Sequence, residues 1–354
     1  MVFLDYASTN PWPKYRCSDY YRPLFNVNTN YAFAEKRMLD ESEERVKKAI
    51  GAKSGKVVFG GTSSQLIENL FTHITEETNE YLTICSIYEH DAMWRFADQW
   101  GNIDSLKHVI QTYHGDKRLI VSLMGINNLT GEIFPVEGIG RLCKDHGAFF
   151  VCDMTAMIGH TVIPANLNDW CSCVVYSGHK IGTELGIGAM WLSEDFNDWL
   201  KGFKLYGTPN LAGALALTQA VEDACDRDAI AKRNEHWLYL FKGLGLSLIN
   251  NGITWIGVDR REWETGTFAI NAIRLPGFNA DALQQYLSSK QIYVSIGGSA
   301  CAEKHDYRIL ETGYNLTKQE ASEVIRISFG ENSTVEEIKV LVEQIKNFKE
   351  LYLK

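Results

Sequence analysis

The sequence has no run of basic residues, and its 35 Lys and Arg are outnumbered by 44 Asp and Glu, for a net charge of −9. Nucleic-acid surfaces need Lys and Arg clustered on phosphates, so no direct nucleic-acid binding is expected. No apolar stretch approaches the ~20 residues of a membrane helix, and Met1-Val2-Phe3-Leu4-Asp5 has no charged segment leading into a long apolar core. The expectation is a cytoplasmic protein with no membrane association. There is no C-x-x-C pair and no H-E-x-x-H, hence no zinc signature and no metal site expected. The eight cysteines lack framework spacing, which predicts reduced thiols, with Cys171 and Cys173 as small core residues of one strand. No internal repeat or low-complexity linker interrupts the chain.

With 354 residues and 45% hydrophobic content, the chain exceeds what one core fills, which predicts a large domain and a smaller one. Apolar runs alternate with amphipathic segments. Strands are expected at Val57-Val58-Phe59, Leu82–Ile87, Leu119–Met124, Ala148–Asp153, Val174–Ser177 and Gly186–Leu192, and helices at Ala34–Ile50 and Val136–His146. This alternation points to an α/β protein with a mostly parallel sheet, whose ligands gather at the carboxyl ends of the strands. A long helix, Leu211–Gly243, is expected as the hinge into the second domain. There, strand and helix segments follow at Thr267–Ile273, Ala280–Lys290, Ile292–Ser295 and Val324–Phe329. The last helix opens on Ser333-Thr334-Val335-Glu336, a capping-box pattern.

Chemistry-bearing residues fall at those strand ends. Lys180 follows the apolar run Val174-Val175-Tyr176-Ser177, and Asp153 ends another. Adjacent strands would bring amine and carboxylate to opposite ends of one flat ring, as a pyridoxal 5′-phosphate (PLP) site requires; the alternative is a surface lysine after a core strand. Gly60-Gly61-Thr62-Ser63-Ser64 opens a helix and reads either as a phosphate seat or as ordinary N-capping. His90 ends a strand, either solvated or placed for proton transfer. Cys301 lies in a polar loop beside Lys304 and His305, which favour a thiolate, or is a chance loop cysteine. Arg326 sits inside an apolar strand and needs a carboxylate, from a substrate or from an internal ion pair.

Taken together, Leu4-Asp5, Thr62-Ser63-Ser64, Glu89-His90, Asn127-Asn128, Asp153, Ser177-Gly178-His179-Lys180, Gly207-Thr208, Gly298-Ser299-Ala300-Cys301 and Ile325-Arg326-Ile327-Ser328 resemble the cysteine desulfurases, PLP enzymes of fold type I among the class V aminotransferases. The resemblance spans nearly the whole chain. It implies a PLP-dependent transferase of fold type I: a large domain (14–242) with a mostly parallel seven-stranded sheet, and a smaller α+β domain (1–13 and 243–354) carrying the Cys301 loop and Arg326.

The resemblance also implies roles. Lys180 binds PLP, His90 lies on its ring, Asp153 holds its nitrogen proton, and Asn128 reaches its phenolic oxygen and the substrate. Ser63 and Ser64 stand at the phosphate-binding positions, with Ser177 and His179, and Thr208 crosses to a partner subunit's phosphate in a homodimer. Arg326 takes the carboxylate of L-cysteine. Cys301 receives the sulfur as a persulfide for an acceptor protein in iron–sulfur assembly, tRNA thiolation or DNA phosphorothioation. Four positions depart from the family pattern: Tyr6 for asparagine, Ala156 for a glutamine that donates to PLP, and Leu205 and Tyr206 for arginine and serine. The stretch from Cys301 to Gly313 is also shorter than in long-loop members. Alternatives are a selenocysteine lyase or aminotransferase on the same fold, and a non-catalytic scaffold.

Overall fold

The computed structural model describes residues 1–20, 24–77, 80–248, 252–257, 266–298 and 306–352. In chain order its strands are β1 (Val2–Phe3), β2 (Lys56–Gly60), β3 (Tyr81–Ser86), β4 (Gln99–Gly101), β5 (Arg118–Ser122), β6 (Phe149–Asp153), β7 (Cys173–Ser177), β8 (Gly188–Leu192), β9 (Thr254–Ile256), β10 (Ile270–Arg274), β11 (Ile292–Tyr293), β12 (Ser295–Ile296) and β13 (Val324–Ser328). The chain divides into two compact units. One comprises Trp12–Gly125 and Phe134–Ile230, the other Met1–Pro11, Ile126–Ile133 and Ala231–Lys354.

The first of these units is built on a seven-stranded sheet in the order β2-β8-β7-β6-β5-β3-β4. Only β8 runs against its neighbours, β2 and β7. The other pairings, β7-β6, β6-β5, β5-β3 and β3-β4, are parallel. Every residue of β6, β7 and β8 is buried, which accounts for their continuous apolar runs. On one face the helix Ser63–Glu77 lays Leu66, Ile67, Leu70, Phe71 and Ile74 against Val58, Val151, Cys173, Val175 and Met190. Each such side chain contributes roughly 1.5–3 kcal/mol by leaving water. Cys143, Cys152, Cys171 and Cys173 are all buried, and burial pushes their thiols up, so they pack as apolar groups.

The second unit holds a four-stranded antiparallel sheet, β12-β13-β10-β9, and the short parallel pair β1-β11. Asp5 adds a parallel bridge to Ser328 of β13. The closing helix Val335–Tyr352 buries Ile338, Leu341, Val342, Ile345 and Phe348. No helix among the described residues is long and apolar enough to cross a membrane.

Two local expectations are corrected. The long helix is two, Leu211–Cys225 and Arg227–Leu248, because Asp226 turns extended and its carboxylate accepts from the Ala229 amide, capping a new helix. The capping box of the last helix belongs to Thr334 and Glu337: each side chain bonds the other's amide, at 3.3 and 2.8 Å, while the Ser333 hydroxyl turns back to the Gly330 amide.

Close packing decides the sign of one substitution pair. In the helix Val136–Asp145, a Cβ at Gly140 would lie 2.1 Å from the Trp170 carbonyl oxygen, whereas one at Gly138 meets nothing within 4 Å. Gly138→Ala should raise stability by about 0.5–1 kcal/mol. Gly140→Ala should lower it by about 1–3 kcal/mol, despite the same gain in helix propensity. Thermal unfolding followed by circular dichroism should move the two midpoints in opposite directions.

Candidate active site

The ends of β2, β7, β6 and β3 form one edge of the large sheet. Register carries it across the strands: Gly60 pairs with Gly188 and Gly188 with Ser177, while Val175 pairs with Asp153. After β2 the chain turns into the helix Ser63–Glu77, whose first turn is capped by the Thr62 hydroxyl accepting from the Gln65 amide at 3.1 Å. The Ser63 and Ser64 amides of the same turn donate to nothing among the described residues. Such amides at a helix N-terminus are a seat for an anion. The neighbouring strand comes close enough to close that seat only because residue 188 is glycine: a Cβ there would be 3.2 Å from the Ser63 nitrogen and 2.9 Å from the Tyr176 carbonyl oxygen.

Lys180 closes the short turn Gly178–Lys180 that follows β7, and it is half-buried. Beside it, burial first and the Lys180 charge second push the His179 imidazole down to about 4. His179 is therefore neutral at physiological pH and presents one N–H and one lone pair. Asp153 ends the adjacent strand and is buried; one carboxylate oxygen accepts from the Thr155 amide at 2.8 Å. Its other oxygen accepts no hydrogen bond among the described residues, which leaves it for a ligand N–H. Thr155 is buried with a hydroxyl that has no partner among the described residues, and next to it stands Ala156, also buried.

His90 follows β3 and caps the short helix Asp91–Trp94, its Nδ1 accepting from the Ala92 amide at 3.2 Å. That bond places the proton of the neutral ring on Nε2. Thr208 is exposed, and its hydroxyl accepts from Asn26 Nδ2 at 3.1 Å, while Asn28 Nδ2 donates to the Gly207 carbonyl. These two asparagines, to which sequence reasoning gave no role, fix the loop that carries Thr208. No local pattern marks them, since they lie about 180 residues away in the chain.

Asn128 and Arg326 belong to the second unit, where Arg326 Nη1 donates to the Asn128 carbonyl at 2.9 Å. The internal ion pair weighed for Arg326 is present: Nη2 meets Asp5 Oδ1 at 2.6 Å, and also bonds the hydroxyls of Ser8 and Ser295. Cys301, with Ser299, Ala300, Lys304 and His305, lies outside the described residues.

The unit containing Lys180 thus has the donor set PLP requires: an amine for its aldehyde, an open carboxylate oxygen for its ring nitrogen, and an amide seat for its phosphate. A test of the electrostatics is the His179 titration. In the cofactor-free protein, NMR should find this ring neutral at pH 5.5. Because its folded value lies below the ordinary 6.5, the unfolded chain binds more protons between these limits. Folding stability should then be level above pH 6.5 and fall as pH drops toward 4.

Comparisons with known proteins bear on the family and the fold. The family model described as aminotransferase class V matches residues 2–205 and 201–341. The chain is 25% identical over 379 residues to the IscS 1 protein of Bacillus subtilis, with 97% of each covered. It is 23% identical over 388 residues to the cysteine desulfurase IscS of Rickettsia felis, with 97% of this chain and 90% of that one covered. Among solved structures, a NifS-like protein superposes with a TM-score of 0.81 at 21% identity over 99% of both chains. A NifS-like protein from Rickettsia africae gives 0.83 at 19% identity, over 99% of this chain and 100% of that one. These superpositions establish the fold as that of the PLP-dependent transferases of type I.

Proposed function

From the premise that this chain belongs to the class V aminotransferase family, whose cofactor is PLP, we propose that it is a cysteine desulfurase converting L-cysteine to L-alanine with transfer of the sulfur to Cys301. The observation that carries the PLP half of this reading is the shared sheet edge that gathers Lys180, Asp153 and the Ser63–Ser64 amides. The sulfur half rests on Gly298-Ser299-Ala300-Cys301 and on relatives named as cysteine desulfurases.

When bound, PLP supplies an electron sink for the substrate's Cα and Cβ. The chain's residues do the rest. The Asp153 oxygen left open holds the ring-nitrogen proton. The Ser63 and Ser64 amides, the Ser64 and Ser177 hydroxyls and neutral His179 bind the phosphate, joined by Thr208 of the partner subunit. Lys180, which would hold the cofactor through Nζ, would remove and later return the Cα proton, and His90 would relay protons through Nε2. Asn128 orients the substrate and Arg326 binds its carboxylate. The Cys301 thiolate attacks the substrate sulfur: the new S–S bond forms as the Cβ–S bond breaks, and its electron pair stays with Cβ, which takes a proton to become the methyl of alanine. The persulfide on Cys301 then passes to an acceptor protein. The departures at Ala156, Leu205 and Tyr206 favour a specialised pathway, such as DNA phosphorothioation, over general iron–sulfur assembly or tRNA thiolation. The reading places the enzyme in the cytoplasm.

Alanine and sulfide release from L-cysteine with dithiothreitol tests the assignment. The natural protein should produce both, and Lys180→Ala and Cys301→Ala should each lose on the order of 10³-fold or more. Transamination that survives Cys301→Ala would instead support an aminotransferase, and a purified protein with no PLP absorbance would support a scaffold.

The dimer part of the proposal draws on exposed apolar side chains of the same unit: Trp12, Phe25, Tyr31, Phe33, Leu185 and a wholly exposed Tyr206 next to Thr208. Where such side chains form one patch, they mark a protein interface. Tyr206→Asp should shift the molecular mass by light scattering from two chains to one and weaken PLP retention, because Thr208 then lacks its partner site.

A further inference from the structure

The Arg326 guanidinium is 6% exposed and is already occupied by a carboxylate. Nη2 faces Asp5 Oδ1 at 2.6 Å, the Ser8 hydroxyl at 2.5 Å and the Ser295 hydroxyl at 3.0 Å, and Nη1 donates to the Asn128 carbonyl. Nε is buried and donates to nothing among the described residues. Two hydrogens on Nη2 therefore serve three acceptors, and the two hydroxyls also lie within 3.3 Å of each other. Asp5, at 18%, is the more exposed member of the ion pair.

A buried arginine with no counter-ion is costly, so a resident carboxylate keeps this strand folded when no substrate is present. The same carboxylate opposes a second one arriving at the same nitrogen, because like charges at this distance repel. Resting on the reading of Arg326 as the substrate's carboxylate clamp, we propose that Asp5 is an affinity-setting residue: a built-in competitor for Nη2 that an amino-acid carboxylate must displace. Ser8 and Ser295 make the exchange possible. Each hydroxyl accepts from Nη2 while Asp5 is bound, and each can rotate to donate to the incoming carboxylate once Asp5 withdraws. The unpartnered Nε gives the released guanidinium a further donor. Asp5 acts through Arg326 and is a positioning residue, not a catalytic one.

The test uses the PLP-loaded enzyme, with the visible absorbance of the bound cofactor as readout. Two probes are titrated: L-alanine, which has an α-carboxylate, and ethylamine, which has the amine but no carboxylate. Asp5→Asn keeps an oxygen acceptor for Nη2 and removes the charge; Asp5→Ser serves in its place if the first variant does not fold. The expected result is an apparent Kd for L-alanine lowered about tenfold with that for ethylamine unchanged. Equal shifts for both probes, no shift for either, or weaker L-alanine binding would overturn the proposal. So would failure of both neutral variants to fold, since Asp5 would then be only a structural counter-ion. The desulfurase reading fails separately, if the natural protein makes no alanine from L-cysteine. Should the natural enzyme bind ethylamine but not L-alanine, the clamp itself is refuted and this proposal with it. If neither probe perturbs the natural holoenzyme, both readings fall.

Discussion

Parallel pairing of β6 with β7, in the register that sets Asp153 opposite Val175, is the constraint on which the candidate site depends. It ends two buried strands at the same edge, so that one delivers a carboxylate and the other, three residues beyond its end, an amine. A shift of one residue would turn Asp153 to the opposite face. The burial of both strands is what holds the register, since every side chain of Val151, Cys152, Val174 and Val175 would have to find new neighbours. Stability of the core and accuracy of the site are here one property.

The reversed strand β8 adds the second requirement. Because β2 and β7 both run against it, their carboxyl ends lie at one edge, and the helix after β2 aims its first amides toward that edge. Gly188 lets the backbone approach that a side chain would forbid. His179 completes the arrangement in a subtle way. Held neutral by burial, it places no second cation beside Lys180 and keeps one donor and one acceptor on its ring.

Much of this was legible in the sequence because the signals are local and repetitive. Buried parallel strands read as unbroken apolar runs, so Phe149–Asp153 and Cys173–Ser177 were identifiable, and the residues following them were natural site candidates. What escaped notice was of two kinds. Asp226 and Thr334 are choices between neighbouring polar residues, settled by which side chain reaches an amide in three dimensions. Asp5, Ser8 and Ser295 around Arg326, and Asn26 and Asn28 beside Thr208, are contacts between distant segments, for which a single sequence holds no periodicity. The need of Arg326 for a carboxylate was readable from its apolar strand; the identity of the carboxylate was not.

The strand-end bridge between Asp5 and Ser328 lies beside the ion pair of Asp5 with Arg326, which ties together residues 321 positions apart. During synthesis Asp5 leaves the ribosome long before Arg326 exists, while the segments between them fold through mostly nearer contacts. Closure of so large a loop is slow and falls late in folding. The arginine's counter-ion is thus also a seal on the finished chain: a polypeptide truncated before β13 leaves Asp5 without Arg326 and β10 without its neighbour on that side, which is the kind of exposed edge by which cellular quality control recognises an incomplete product.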